Sequence, residues 1–235
     1  MTLTQLEQCV PQLLEYTRNM PPDIRSRCTV RTHPAGSIIH QKDMVLDYFG
    51  IVAMGENRVV NEFENGNVYM IESNKAIDFI GEVTILAGME RTSVTIEAVS
   101  DCVVAYISRQ DAERWFSQDM NILRLTAGHT AFKLYRSSYN NGAKLFYPPA
   151  YILLDYLVRY GRQQGIDGPA PPAQVCINRT RQMLQEEMGV NVKTLNRTIS
   201  QLKGEGFFTL NKGKITFNRQ QYELALQWLE TEKGR

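Results

Sequence analysis

The spacing of apolar and polar positions changes character twice along this chain, and the changes divide it into three stretches. From about residue 20 to 107 the apolar residues come in short runs broken by turn signals at His33-Pro34-Ala35-Gly36, Met54-Gly55-Glu56-Asn57, Glu64-Asn65-Gly66-Asn67 and Ala87-Gly88-Met89-Glu90. This spacing predicts an all-β roll. The pair Asn65-Gly66, between the runs Arg58 to Phe63 and Val68 to Ile71, predicts a hairpin, because a type I′ turn needs positive φ at both central residues. Ser93 to Ala98 alternates polar and apolar side chains, which predicts a sheet with one buried face.

The period then becomes helical. Ser108 is placed to cap a helix whose first turn carries Asp111 in the position of a capping-box acid. After a break near Ser117, a second helix is predicted from Met120 to Phe146, ~39 Å at the usual rise. Its apolar residues form two stripes: Met120, Leu123, Ala127, Ala131 and Leu134 on one side, and Leu125, Phe132, Tyr139 and Phe146 at seven-residue steps on another. A helix apolar on two sides has two things to pack against. One is predicted to be its own roll, the other the same helix of a second subunit.

Tyr147-Pro148-Pro149 ends that helix, because proline lacks an N–H and restricts the residue before it. Beyond this boundary and expected hinge, Ala150 to Tyr160 reads as an amphipathic helix and Gly165 to Ala173 as a surface loop. Thr180 caps a helix that stops at Gly189, and Asn191 caps another from Val192 to Lys203. Two helices joined by so short a turn predict a helix-turn-helix. Leu195, Ile199 and Leu202 form the inward face of the second helix, which turns Lys193, Asn196, Arg197 and Ser200 outward. Phe207 to Phe217 then reads as a hairpin with a basic tip, a wing.

Charge sharpens this picture. The net charge of +1 conceals −3 over residues 1–146 and +4 over 147–235, with eight basic against three acidic side chains in 176–219. A basic stretch on a helix-turn-helix suits a polyanion. Arginine reads guanine and asparagine reads adenine through paired hydrogen bonds, so Arg197 and Asn196 are the base-reading candidates. Lys193 and Thr194 serve phosphate or base edge, and Thr180, Arg181 and the adjacent helix start suit phosphate. The four cysteines (Cys9, Cys28, Cys102, Cys176) and three histidines (His33, His40, His129) are scattered, so the sequence predicts no metal site and no catalytic residue. Nothing in the sequence reads as a membrane span or a signal peptide, and the expected location is the cytoplasm.

With these features in place, the chain resembles the Crp-Fnr family of bacterial transcription regulators. Asp78-Phe79-Ile80-Gly81-Glu82, followed by Glu90-Arg91-Thr92-Ser93 and Val94 to Ala98, is similar to the family's phosphate-binding cassette. His33 to Gly36 and Ala53 to Glu56 resemble its early roll turns; Thr180-Arg181-Gln182 with Gly189 and Arg197 resembles its helix-turn-helix. The resemblance implies an α+β fold: a cyclic-nucleotide-binding-like β-roll (a double-stranded β-helix) over 1–117, a dimerisation helix over 118–146 and a winged helix-turn-helix over 147–235. It also implies that Glu82 would accept hydrogen bonds from a ribose hydroxyl while Arg91, Thr92, Ser93 and amides near Gly81 hold a phosphate. Tyr135 and Ser138 lie on the stretch of the long helix that would touch the effector.

Three readings of the cassette stand open: a cyclic nucleotide, another small-molecule effector, or a purely structural Glu82–Arg91 ion pair. The implied partners are a double-stranded DNA operator contacted through Thr180, Arg181, Gln182, Asn191, Lys193, Thr194, Asn196, Arg197, Ser200 and Lys212, a second copy of the chain, and RNA polymerase if the regulator activates. The competing expectation is an effector-binding module whose C-terminal domain docks a protein instead of DNA.

Overall fold

The computed structural model describes residues 1–64, 66 and 68–233, with the backbone alone for 139–145 and 233. The chain begins with three short helices that periodicity did not announce: α1 (Leu3–Cys9), α2 (Leu14–Thr17) and α3 (Pro22–Arg27). Thr2 caps α1 in a reciprocal capping box with Gln5, and Pro22 starts α3 where a missing N–H costs nothing. Leu3, Leu6, Leu13, Met20 and Ile24 from this segment are buried against the roll. The expectation of strands from residue 20 onward is therefore corrected: the first strand starts at Thr29.

The roll contains β1 (Thr29–His33), β2 (Ile38–His40), β3 (Tyr48–Met54), β4 (Glu56–Glu62), β5 (Val68–Lys75), β6 (Asp78–Ile80), a short helix α4 (Glu82–Leu86), β7 (Thr95–Ala98) and β8 (Cys102–Ser108). The strands form two antiparallel sheets, ordered β1-β8-β3-β6 and β2-β7-β4-β5. Strands β4 and β5 pair as the hairpin predicted, with Asn61 opposite Tyr69; Asn65 of its turn lies outside the described residues, and Gly66 has φ +76°. Val52, Ile80, Ile96, Ala98 and Val104 fill the space between the sheets, while Phe49, Ile51 and Ala105 turn the other way, toward the helices.

Ser108 caps α5 (Arg109–Gln118) by accepting from the Asp111 amide. The Asp111 carboxylate does not close a capping box; it pairs with Arg27 at 2.8 Å. After a break at Asp119, the long helix α6 runs Met120–Phe146. Trp115 and Phe116 of α5 and Ile122 of α6 join the core beside Phe49 and Phe79, with Phe49 and Phe116 edge to face at 5.1 Å.

By its contacts the chain divides into two compact units, Met1–Tyr139 and Asn140–Arg235. In the second unit, α7 (Pro149–Gln163) leads to β9 (Val175–Cys176), α8 (Arg181–Met188), α9 (Val192–Gly204), β10 (Thr209–Asn211), β11 (Lys214–Phe217) and α10 (Arg219–Lys233). The strands form a small antiparallel sheet, β10-β11-β9. Helix α10, which the sequence reading missed, buries Tyr222, Ala225 and Leu229 in a core with Leu153, Leu154, Leu157, Leu195 and Leu202. Gly161 permits this approach: a Cβ there would lie 2.9 Å from the Phe217 ring and 3.1 Å from that of Tyr222.

Candidate functional site

Helix α9 is built as a presented surface. Leu195, Thr198, Ile199 and Leu202 are buried, and Lys193, Asn196, Arg197 and Ser200 are exposed on the opposite face. Asn191 Oδ1 accepts from the Thr194 amide at 2.8 Å, which fixes the helix start and leaves Thr194 half-buried. Gly189 ends α8 at φ +69°, a conformation that costs most residues energy, and so permits the tight turn between the helices. Thr180 Oγ1 accepts from the Met183 amide at 3.1 Å, and Gln182 donates to Glu186 at 3.0 Å.

The wing differs in one respect from the sequence reading. Arg181 is half-buried, and its guanidinium donates to the Gly213 carbonyl at 2.9 Å, tying α8 to the wing tip. Lys214 is likewise tied, to the Arg179 carbonyl at 3.0 Å. Lys212 is exposed at the tip with φ +47°, followed by Gly213 at +78°. Positive φ at both central residues is what a two-residue hairpin turn requires, and for lysine it costs roughly 1–2 kcal/mol.

In the first unit, Gly81 (φ +88°) brings the backbone under Leu46 and Tyr48: a Cβ would fall 2.7 Å from Leu46 Cδ2 and 3.0 Å from the Tyr48 carbonyl. The next residue, Glu82, is 4% exposed. Its carboxylate accepts from Lys133 Nζ of α6 at 2.9 Å, and the same ammonium lies 2.7 Å from Asp78 Oδ1 and 3.9 Å from Glu72. Arg136, one turn further, donates to Glu72 at 2.9 Å and to Asn74 at 3.0 Å. Asn57 supplies Asp78 with another hydrogen bond, and His129 Nδ1 stands 3.8 Å from Asp78 Oδ1.

Burial pushes the Glu82 carboxyl above the usual carboxylate range against the pull of Lys133. Burial alone would lower Lys133, but the carboxylates of Glu82 and Asp78 outweigh it and hold the ammonium well above its ordinary value. Burial holds His129 below the ordinary imidazole value.

Arg91 is exposed and donates to the Asp43 carbonyl at 2.6 Å. Among the described residues no ion pair joins it to Glu82, so the structural Glu82–Arg91 pair is corrected: Lys133 supplies the cation. Thr92 is buried, with its hydroxyl donating to the Gln41 carbonyl and its amide to the Met44 carbonyl, both at 3.2 Å. Ser93 is exposed. Tyr135 and Ser138 are exposed on the face of α6 that does not meet the acidic cluster.

The stripe of α6 that covers the roll also needs correction. It is Ile122, Thr126, His129, Lys133 and Arg136, mostly polar, whereas Met120, Ala127, Ala131, Phe132 and Leu134 are exposed. Polar groups face inward because the roll presents Glu72, Asp78 and Glu82 there.

Residues 30–119 match the Cyclic nucleotide-binding domain family. Over 185 residues the chain is 24% identical to the cAMP-activated global transcriptional regulator CRP of Salmonella typhimurium, covering 78% of this chain and 87% of that protein. Among solved structures, the c-di-GMP responsive global regulator CLP of Xanthomonas campestris shares the fold with a TM-score of 0.74 at 15% identity, over 82% of this chain and 95% of the other. A CRP/FNR family transcriptional regulator of Thermus thermophilus does so at 0.68 and 17%, over 85% and 98%. The domain match on the roll, the 24% identity over 185 residues and the shared fold make the chain similar to transcription regulators of the Crp-Fnr family.

Proposed function

We propose that the chain is a sequence-specific DNA-binding transcription regulator that acts as a cytoplasmic homodimer, with the roll as its effector-responsive module. The observation that carries this reading is the exposed row Lys193, Asn196, Arg197 and Ser200 on a helix capped at its start and anchored by a buried opposite face. Arg197 and Asn196 are assigned to base edges. Lys193, Thr194, Gln182, Thr180, Asn191 and Lys212 position the helix on the phosphates. Arg181 holds the wing. Lys212 keeps a cationic side chain at a backbone position that glycine or asparagine would occupy at lower cost, which favours a phosphate contact there.

Dimerisation is assigned to α6. Met120, Arg124, Ala127, Ala131, Leu134 and Ser138 recur at alternating four- and three-residue steps and all are exposed. That is the heptad spacing of a coiled-coil seam, with small residues that admit a close partner. No helix among the described residues is long and apolar enough to cross a membrane.

The test is selection of duplexes from a random pool by the full chain, followed by titration of the selected site against a scrambled one. Specific binding should exceed scrambled binding by about 10³-fold or more, and log affinity should fall linearly with log salt. Equal affinity for both duplexes overturns the sequence-specific reading, and no binding even at low salt favours a protein-docking module instead.

A further inference from the structure

A cyclic nucleotide held in a cassette of this kind needs a free carboxylate for its ribose hydroxyl and free donors for its phosphate. Here Glu82, Arg91 and Thr92 already have partners within the chain. Glu82 Oε1 accepts from Lys133, and that ammonium is shared with Asp78 at 2.7 Å. The Thr92 hydroxyl and amide donate to the carbonyls of Gln41 and Met44, and the Arg91 guanidinium donates to Asp43 on the surface. The segment from Glu90 to Thr92 is further zipped to its neighbour by bonds from the amides of Leu46 and Asp43 at 2.9 Å. Any anion at Glu82 would meet Asp78 and Glu72 as well.

We propose that Lys133 is a built-in ligand of the cassette: it takes the place of the ribose hydroxyls at Glu82, so that this roll does not accept a cyclic nucleotide there. The residues present do not fit that group. The ammonium instead does what such an effector would do, bridging the roll to α6. To engage Glu82, a small molecule has to supply its own cation and expel Lys133; a neutral ribose hydroxyl has no means of doing so. The inference rests on the roll being the effector-responsive module, and it names Lys133 as the residue that sets the module's specificity.

The experiment uses the full wild-type chain. Equilibrium titration with cyclic AMP and cyclic GMP should show no saturable binding up to about 1 mM. In parallel, acylation of lysine amines followed by mass spectrometry should label Lys133 at least about tenfold more slowly than exposed Lys193, because labelling requires a local opening. Neither nucleotide should change that ratio. In the double variant Asp78→Asn, Glu82→Gln the Lys133 rate should rise toward that of Lys193. Micromolar binding of a cyclic nucleotide that Glu82→Gln abolishes overturns the proposal, as does labelling of Lys133 as fast as Lys193. Failure to bind any selected duplex would overturn the regulator reading but leave the Lys133 labelling as predicted, so the two failures are separable.

Discussion

Replacing Lys133 with methionine keeps most of the side chain's length and removes its charge. The buried carboxylates of Asp78 and Glu82 then lose an ammonium that lies 2.7 and 2.9 Å away. Deleting one member of a buried ion pair costs about 3–5 kcal/mol, because the remaining charge is left without water or partner. Lys133 is 14% exposed and Asp78 keeps its bond from Asn57, which places the expectation at the lower end, about 3 kcal/mol. For a unit of this size that lowers Tm by about 10 °C.

The sign of the pH dependence is fixed by Glu82, which burial already holds above the carboxylate range. Without the ammonium its folded pKa rises further. A group raised in the folded state contributes stability that is fully present below its unfolded pKa of about 4.3 and is lost as pH climbs through the folded value. Thermal unfolding followed by circular dichroism should therefore show a large deficit at about pH 7.5 that shrinks toward about pH 5. Adding Glu82→Gln to Lys133→Met should recover part of the loss, since one of the stranded charges is gone. A Tm within about 2 °C of wild type at neutral pH, or a deficit equal at both pH values, would refute the claim that a buried charge cluster holds α6 on the roll.

Four further outcomes follow from the geometry. Arg197→Ala should cost about 1–3 kcal/mol on the selected duplex and relax preference at one base position, measured by fluorescence anisotropy on single-base variants. Lys212→Asn should raise Tm slightly, by relieving up to about 1 kcal/mol of backbone cost, while weakening all duplexes uniformly; a variant less stable than wild type would contradict the assigned turn. Leu134→Glu, on the exposed α6 seam, should give a monomer by sedimentation with the far-ultraviolet dichroism retained. Cys9 and Cys176 are exposed, Cys102 is buried and the Cys28 thiol is pushed up to about 11 by burial, so a thiol reagent at neutral pH should find two fast groups and two slow ones.

Legibility in the sequence followed the locality of the signal. The caps at Ser108, Thr180 and Asn191, the break before Met120, the proline after Phe146 and the outward face of α9 are set by neighbours within a turn, and all could be read directly. The N-terminal helices are only four to seven residues long, too short for a period to declare itself, and owe their burial to the roll they cover. Helix α10 carries Tyr222, Ala225 and Leu229 at helical spacing, but Leu224, Leu226 and Trp228 stand between them, so no single apolar stripe declares the buried face. The acidic cluster was out of reach for another reason. Glu72, Asp78, Glu82, Lys133 and Arg136 are distant in sequence, and a lysine and an arginine three apart on a long helix read as a solvated face until the sheet beneath them is known to be anionic.

That inversion of α6 has a consequence for specificity. The helix supplies His129, Lys133 and Arg136, and the roll supplies Glu72, Asp78 and Glu82. An apolar stripe tolerates a small slide along a neighbouring surface, since one methylene can replace another. Ion pairs at hydrogen-bond distance do not: moving α6 by one turn, ~5.4 Å, would break each of them and leave charges buried. Register on the roll is thus set by charge, and Ala127, Ala131 and Leu134 stay exposed for the proposed dimer seam. Under the proposed dimer, an event that displaces Lys133 would remove the ammonium shared by Asp78 and Glu82 from the same helix that joins the two subunits, leaving Arg136 on Glu72 as the ion pair that still holds its register.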